Sequence, residues 1–399
     1  MAVGAALLVP SVVLLTETVA ALFPIRRRTD KEPDKDADGR ARVPRVVVLV
    51  PAHNEASQIV GTLTALARDL PARGSVLVVA DNCTDETAAL AAGLGVTVIE
   101  RHDTARVGKG FAITAGLDHL TASAPEVVVI LDADCRVSPD GIAMLAREAA
   151  RRGRPIQAEY VLELPENPGP LSVVSALAVV VRNRVRPRGL DRLGLPCCLT
   201  GSGMAFPWSL LRAAPEAGEN LVEDLAMGIN LALQSYPPAF CPEVTVKSPL
   251  PESDRATLRQ RRRWEHGQLS MLATQSPRLL AAGIARRQIS LIALGLDVAV
   301  PPLALLVMLQ AAWVVVTVLV HWLARTSVTA IALPLVALAQ VVCAVALSWF
   351  KFGRQIIRLR QVSLVCFYLV KKIPIYAALA LRGRTKRWER TPRKGEPSA

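Results

Sequence analysis

The sequence predicts an α/β protein: a doubly wound, mostly parallel sheet flanked by transmembrane helices. Three observations predict it. From residue 45 onward, short runs rich in Val, Ile and Leu alternate with amphipathic helical stretches, the pattern of parallel strands joined by crossover helices. One such run, VVVILDAD at residues 127–134, closes on two carboxylates, Asp132 and Asp134. A strand buried on both faces reads as continuously apolar, and open α/β sheets bind ligands beyond the carboxyl ends of their strands. Long apolar runs bracket this region, and the mean hydropathy is +0.33, unusual for a wholly soluble enzyme.

Taken in order, residues 2–23 form an apolar run broken by Ser11, Thr16, Glu17 and Thr18. As a helix it spans roughly 33 Å, enough to cross a bilayer. A cleaved signal peptide would carry a basic leader; here Arg26–Arg28 follow the run instead. That asymmetry favours a transmembrane helix over 1–25 with a cytosolic continuation. Residues 26–44 are charged and poor in apolar side chains, a linker composition.

Residues 45–275 read as one cytosolic domain. A strand at 46–50 leads into Pro51, Ala52, His53, Asn54 and Glu55, then a helix to about residue 70. A second strand, 76–80, ends at Asp81; a shorter third covers 96–99; a helix covers 108–120. The loops after these strands share one edge of a parallel sheet, so Glu55, Asp81, Asp132 and Asp134 could line one crevice. Residues two apart on an extended strand point the same way. Asp132 and Asp134 therefore suit a divalent cation that prefers oxygen ligands and bridges to phosphates. A solvated turn is the plain alternative for an isolated Asp-Ala-Asp. Lys109 could approach a diphosphate as a point charge, although Gly108-Lys109-Gly110 is too short for a phosphate-cradling loop. No GxGxxG follows the first strand, which argues against a dinucleotide oxidoreductase.

Further strand and helix are expected at 156–164 and 171–184. The small-residue loop Gly201-Ser202-Gly203 would let a ligand approach backbone closely. Glu223 and Asp224 open an amphipathic helix, where the helix dipole alone would favour acids. A basic helix over 255–271 carries Gln260, Arg261, Arg262, Arg263 and Trp264. A cationic amphipathic helix of this kind also suits an anionic lipid surface.

Residues 276–381 turn membrane-like. Spans are expected at 301–322 and 328–350, with 289–300 a half-buried or interfacial piece. The apolar stretch 362–381 contains Lys371 and Lys372, a costly placement at bilayer depth. A basic tail, 382–399, closes the chain.

The net charge of +13 comes largely from clusters that adjoin apolar segments, as in cytosolic membrane flanks. No aromatic-rich nucleic-acid motif accompanies them, so a nucleic-acid partner is not expected. The seven cysteines show no CxxC spacing, consistent with a reducing compartment.

Together, Pro51–Glu55, Asp81, the DxD of Asp132 and Asp134, Glu223-Asp224 and the QRRRW run 260–264 resemble the family 2 glycosyltransferases, specifically the membrane-embedded cellulose, chitin and hyaluronan synthase branch. The resemblance implies a nucleotide-diphosphate-sugar (GT-A) fold and inverting transfer at the anomeric carbon. It implies that Pro51, Asn54, Glu55 and Asp81 bind the donor's nucleotide. Asp132 and Asp134 would hold its diphosphate through Mg²⁺ or Mn²⁺, with Lys109 and Arg263 adding charge. Asp224, beside Glu223, would be the general base, and Gly201, Ser202, Gly203, Gln260 and Trp264 would lie on the acceptor side. The expected protein is a multi-pass plasma-membrane enzyme with its catalytic domain in the cytosol. It would transfer sugar from a nucleotide donor, UDP-linked by expectation, to a polysaccharide or glycolipid. The alternatives are single-sugar transfer to a lipid and a non-catalytic membrane scaffold of the same fold.

Overall fold

The computed structural model describes residues 2–24, 42–213, 223–250, 254–325, 327–358, 361, 368–373 and 376. Most of the expected linker 26–44 and the basic tail 382–399 lie outside the described residues. The chain forms two compact units, one of Arg26–Glu163 with Pro196–Pro249, the other of Met1–Ile25, Leu164–Leu195 and Leu250–Ala399.

The first of these units holds an eight-stranded sheet: β1 (Val46–Ala52), β2 (Gly74–Asp81), β3 (Thr97–Arg101), β4 (Val127–Ile130), β5 (Arg136–Val137), β6 (Ile156–Glu163), β7 (Met204–Pro207) and β8 (Ala239–Pro249), in the order β3-β2-β1-β4-β7-β6-β8-β5. Strands β1 to β4 pair in parallel, as their continuous apolar sequences require. The sheet is mostly parallel, as expected, with antiparallel pairings added beyond β4. β7 runs antiparallel to both β4 and β6, and β5 antiparallel to β8, while β6 and β8 pair in parallel. β7 is four residues long and follows a glycine loop, so it carries no periodicity to read.

Side chains of Val47, Leu49, Leu77, Val79, Val128 and Ile130 form the core of this unit, with Ile113 and Leu117 from helix 109–120 and Met227 and Leu231 from helix 223–233. At about 1.5–3 kcal/mol for each fully buried aliphatic, this core anchors the strand ends that carry the acidic loops. β4 stops at Ile130, before the acids. Leu131 N–H still donates to Leu49 O at 3.1 Å, and a turn then closes with Cys135 N–H on Asp132 O at 3.0 Å. Asp132 and Asp134 thus converge through a turn, not through the pleat of an extended strand.

The other unit is helical among its described residues. Its helices include Ala2–Ala21, Pro170–Val180, Arg186–Arg192, Asp254–Ala285, Ile289–Ala299, Leu303–Ala324 and Thr329–Ser348. The expected basic helix is longer than its sequence signal and runs through Pro277. Two stretches, Leu303–Ala324 and Thr329–Gly353, are long and apolar enough to cross a membrane; the apolar part of the first helix, Leu7–Ala21, is shorter. Arg186 forms buried ion pairs with Glu17, at 2.7 Å, and with Asp297. Three segments distant in sequence are thereby tied together. Asp297, which the sequence leaves as an isolated acid in an apolar piece, is one of these partners.

Candidate active site

Four loops at the carboxyl edge of the sheet build the site. The Lys109 ammonium, on the first residue of its helix, lies 2.5 Å from Asp132 Oδ1. It also donates to the Gly201 carbonyl at 2.5 Å. Gly201 has φ +94°, and a Cβ built there would lie 3.3 Å from Asp224 Oδ2 and 3.9 Å from Lys109 Nζ. The Asp224 carboxylate therefore sits against the same loop that Lys109 grips. Lys109, Asp132, Gly201 and Asp224, expected in three separate roles, meet around one ammonium.

Ser202 locks this arrangement. Its Oγ accepts from the Asp132 backbone N–H at 3.0 Å, and its hydroxyl donates to Cys135 Sγ at 3.2 Å. Gly203, at φ +68°, donates its N–H to Ile130 O. A Cβ at Gly203 would meet Val246 Cγ2 at 2.6 Å, so the loop fits only without a side chain. Gln157, fully buried on β6, spans the loop: its Nε2 donates to Ser202 O at 2.9 Å and its Oε1 accepts from Thr200 N–H at 2.8 Å.

Electrostatics follow from this crowding. Burial pulls the Lys109 ammonium down, but the carboxylates of Asp132, Glu223 and Asp224 outweigh it and hold Lys109 above the ordinary lysine range. Burial pushes Asp132 up, reinforced by Asp134 and Asp224 and opposed by Lys109. Burial likewise raises Glu223 to about 7, with Asp224 adding repulsion and Lys109 opposing it. One cation thus serves several acids, and extra positive charge would be accommodated readily.

Ligand atoms of Asp132, Asp134 and Cys135 lie within 4.8 Å of one another. The two carboxylates suit a hard divalent cation. The thiol is a soft ligand that suits such a cation poorly, and burial and both aspartates push it well above its usual range. Its S–H points at Asp134 Oδ1 at 3.6 Å, and the Ser248 hydroxyl donates to Asp134 Oδ2 at 3.2 Å. Asp132 and Asp134 are the pair that would hold a metal.

The expected nucleotide-side residues sit at the ends of β1 and β2. His53 Nδ1 lies 2.6 Å from Asp81 O. Asn54 Oδ1 accepts from Thr84 N–H at 2.7 Å, and Glu55 N–H donates to Thr87 Oγ1 at 2.7 Å. These bonds stitch the loop that follows Pro51 to the loop that follows Asp81. The Asp81 carboxylate is buried and pairs with Arg101 at 2.6 Å, so a ligand at Asp81 would meet an ion pair and not a lone acid. Trp264 lies on helix Asp254–Ala285, in the helical unit. The side chains of Gln260 and Arg263, on the same helix, lie outside the described residues.

Gln157, Ser248 and Cys135 were not read as site residues from the sequence. Gln157 lies in a strand that also carries Glu159 and Glu163, so its polarity alone does not single it out. Ser248 had no signal, because β8 reaches the site from 114 residues beyond Asp134.

The family model described as "Glycosyltransferase like family 2" matches residues 44–267. Among solved structures, the mannosyltransferase PcManGT from Pyrobaculum calidifontis, in complex with GDP-Man and Mn²⁺, is similar with TM-score 0.53 and 20% identity over 96% of this chain and 99% of that one. Glucosyl-3-phosphoglycerate synthase from Mycobacterium tuberculosis, in complex with Mn²⁺, UDP and glucosyl-3-phosphoglycerate, aligns with TM-score 0.39 and 18% identity over 58% of this chain and 79% of that one. A search of curated proteins found no match.

Proposed function

Since the chain belongs to glycosyltransferase-like family 2, we propose that it transfers a sugar from a nucleotide-diphosphate donor to an acceptor hydroxyl, with inversion, at the inner face of a membrane. The observation that carries this reading is the gathering of Asp132 and Asp224 around Lys109 and the Gly201 loop. A transferase of this kind needs a charge-stabilised side for the leaving diphosphate and a carboxylate base for the incoming alcohol.

In this reading the acceptor oxygen forms a bond to the anomeric carbon as the bond from that carbon to the diphosphate oxygen breaks. The bonding pair leaves with the nucleoside diphosphate, and the acceptor's proton passes to Asp224 Oδ2. Lys109 offsets charge developing on the leaving group, and the Gly201–Gly203 loop orients the two sides. A divalent cation held by Asp132 and Asp134 would add charge neutralisation for the diphosphate, chemistry worth several kcal/mol in such sites (on the order of 3–4 kcal/mol for one well-placed donor). Mn²⁺ in the solved mannosyltransferase supports this choice of metal.

The membrane reading is supported by the two long apolar helices Leu303–Ala324 and Thr329–Gly353, many of whose Val and Leu side chains are exposed. The acceptor is a polysaccharide or a glycolipid. A second reading, transfer of one sugar to a lipid, is favoured by an amphiphilic cleft in the helical unit where Trp264 lies among Leu14, Val181 and Leu303.

The test is a donor screen. Purified protein in detergent with Mn²⁺ is offered UDP- and GDP-linked sugars, and nucleoside diphosphate release is scored. One donor class should turn over, and EDTA should stop it. No release from any donor, with membrane lipid and oligosaccharide acceptors supplied, would overturn the proposal.

A further inference from the structure

Within the helical unit, Glu265 is the hub of a buried polar cluster. Its Oε1 accepts from Lys372 Nζ at 2.8 Å and its Oε2 from the Tyr376 hydroxyl at 2.9 Å. Arg261, one turn earlier on the same helix, approaches the carboxylate at 3.8 Å. Lys372 is fully buried, and Glu265 and Arg261 nearly so. The lysine that looked misplaced in an apolar stretch therefore has a partner 107 residues away.

Glu265 directly follows Trp264, and Arg261 lies over the Trp264 ring at 6.0 Å. Arg261, Trp264 and Glu265 line a narrow solvent-open cleft together with Leu14, Arg182 and Arg186. A buried ion pair is a poor way to gain stability, since apolar residues of similar size do as well or better. Its best-attested use is to fix register. Here the register in question is the rotation and height of the helix turn that presents Trp264 and Arg261.

We propose that Lys372 and Tyr376 are positioning residues: by clasping Glu265 they set Trp264 and Arg261 in the wall of the cleft that receives the acceptor. This rests on the acceptor-side role of Trp264 given above. Neither residue touches the reacting atoms. The clasp acts on acceptor binding and leaves donor binding alone.

The experiment uses the full chain in lipid nanodiscs with Mn²⁺, either GDP-mannose or UDP-glucose as donor, and octyl glucoside as an amphiphilic acceptor probe. Variants are Lys372→Met, Lys372→Arg, Tyr376→Phe, and the charge-neutral pair Glu265→Gln with Lys372→Met. Lys372→Met should raise the acceptor KM about tenfold while the donor KM stays within twofold, and Lys372→Arg should recover most of the loss. The neutral pair should keep its Tm yet retain the acceptor defect. Hydrogen exchange over residues 258–270, which needs no substrate, should quicken in Lys372→Met and Tyr376→Phe and remain unchanged over 303–324. A neutral pair with wild-type acceptor KM, or unchanged exchange over 258–270, would overturn the clasp. If the wild-type protein releases no nucleotide from any donor, the transferase reading fails, and the exchange measurement alone decides the clasp.

Discussion

Lys109 and Asp132 face each other at 2.5 Å, and the same ammonium holds the carbonyl of Gly201, the residue beside whose Cα the Asp224 carboxylate lies. One cation is thus the common neighbour of the metal-side and base-side acids. Lys109→Met should leave Asp132, Glu223 and Asp224 repelling one another without their shared counter-ion. A loss of at least 100-fold in kcat/KM is expected, larger than the change in donor affinity. Steady-state kinetics beside donor titration calorimetry would check it.

Asp224→Asn keeps the shape and removes the proton acceptor. A positioned base contributes about 10²–10⁴-fold, so turnover should fall within that range while donor binding persists. Near wild-type turnover in this variant would transfer the base role elsewhere, with Glu223 the first candidate.

Glu223, raised from its ordinary 4.5 to about 7 chiefly by burial and then by Asp224, predicts two pH effects. Activity should fall as pH drops through about 7, where the acid pair takes up a proton. Glu223→Gln should move that limb toward the ordinary carboxylate range, visible in a pH–kcat profile. For stability the sign is opposite. The folded state holds this proton more tightly than the unfolded chain, so the contribution is full below about 4.5 and is lost as pH rises through about 7. Relative to wild type, Glu223→Gln should therefore gain Tm above pH 7.

Legibility from sequence tracks locality. Asp132, Asp134, Asp81 and Lys109 sit just past or just before regular elements whose periodicity is strong, so their placement at one sheet edge follows from the βαβ pattern alone. Asp224 opens a helix, where a dipole explanation competes, and only its approach to Gly201 separates the two readings. Ser248 and Gln157 reach the loop from strands paired across long sequence distances, which no local pattern encodes. The turn at Asp132–Cys135 is ambiguous in the sequence because Asp-Ala-Asp suits a strand end and a turn alike, and the antiparallel β7 is silent because four residues carry no period. Lys372 looked anomalous for the same reason, its partner Glu265 being distant in sequence.

The Gly201-Ser202-Gly203 loop separates stability from activity. Gly203→Ala would place a methyl 2.6 Å from Val246 Cγ2 and 3.0 Å from Ala158 Cβ at φ +68°, a strained position costing about 1–3 kcal/mol. Gly201→Ala meets a softer neighbour, the Asp224 carboxylate at 3.3 Å. Thermal unfolding should rank Gly203→Ala as the less stable protein. Gly201→Ala should show the greater kcat loss per degree of Tm, since its methyl displaces the base.

Arg186 bridges Glu17 and Asp297, all three nearly inaccessible. Breaking a buried pair leaves charge without compensation, at about 3–5 kcal/mol. Arg186→Met strands two acids at once and should lower Tm in detergent sharply. The triple variant Glu17→Gln, Arg186→Met, Asp297→Asn removes every charge and should recover much of that loss. A single Arg186→Met that unfolds like wild type would mean that the two acids are held neutral or hydrated by other means, and that the helices are joined by apolar packing alone.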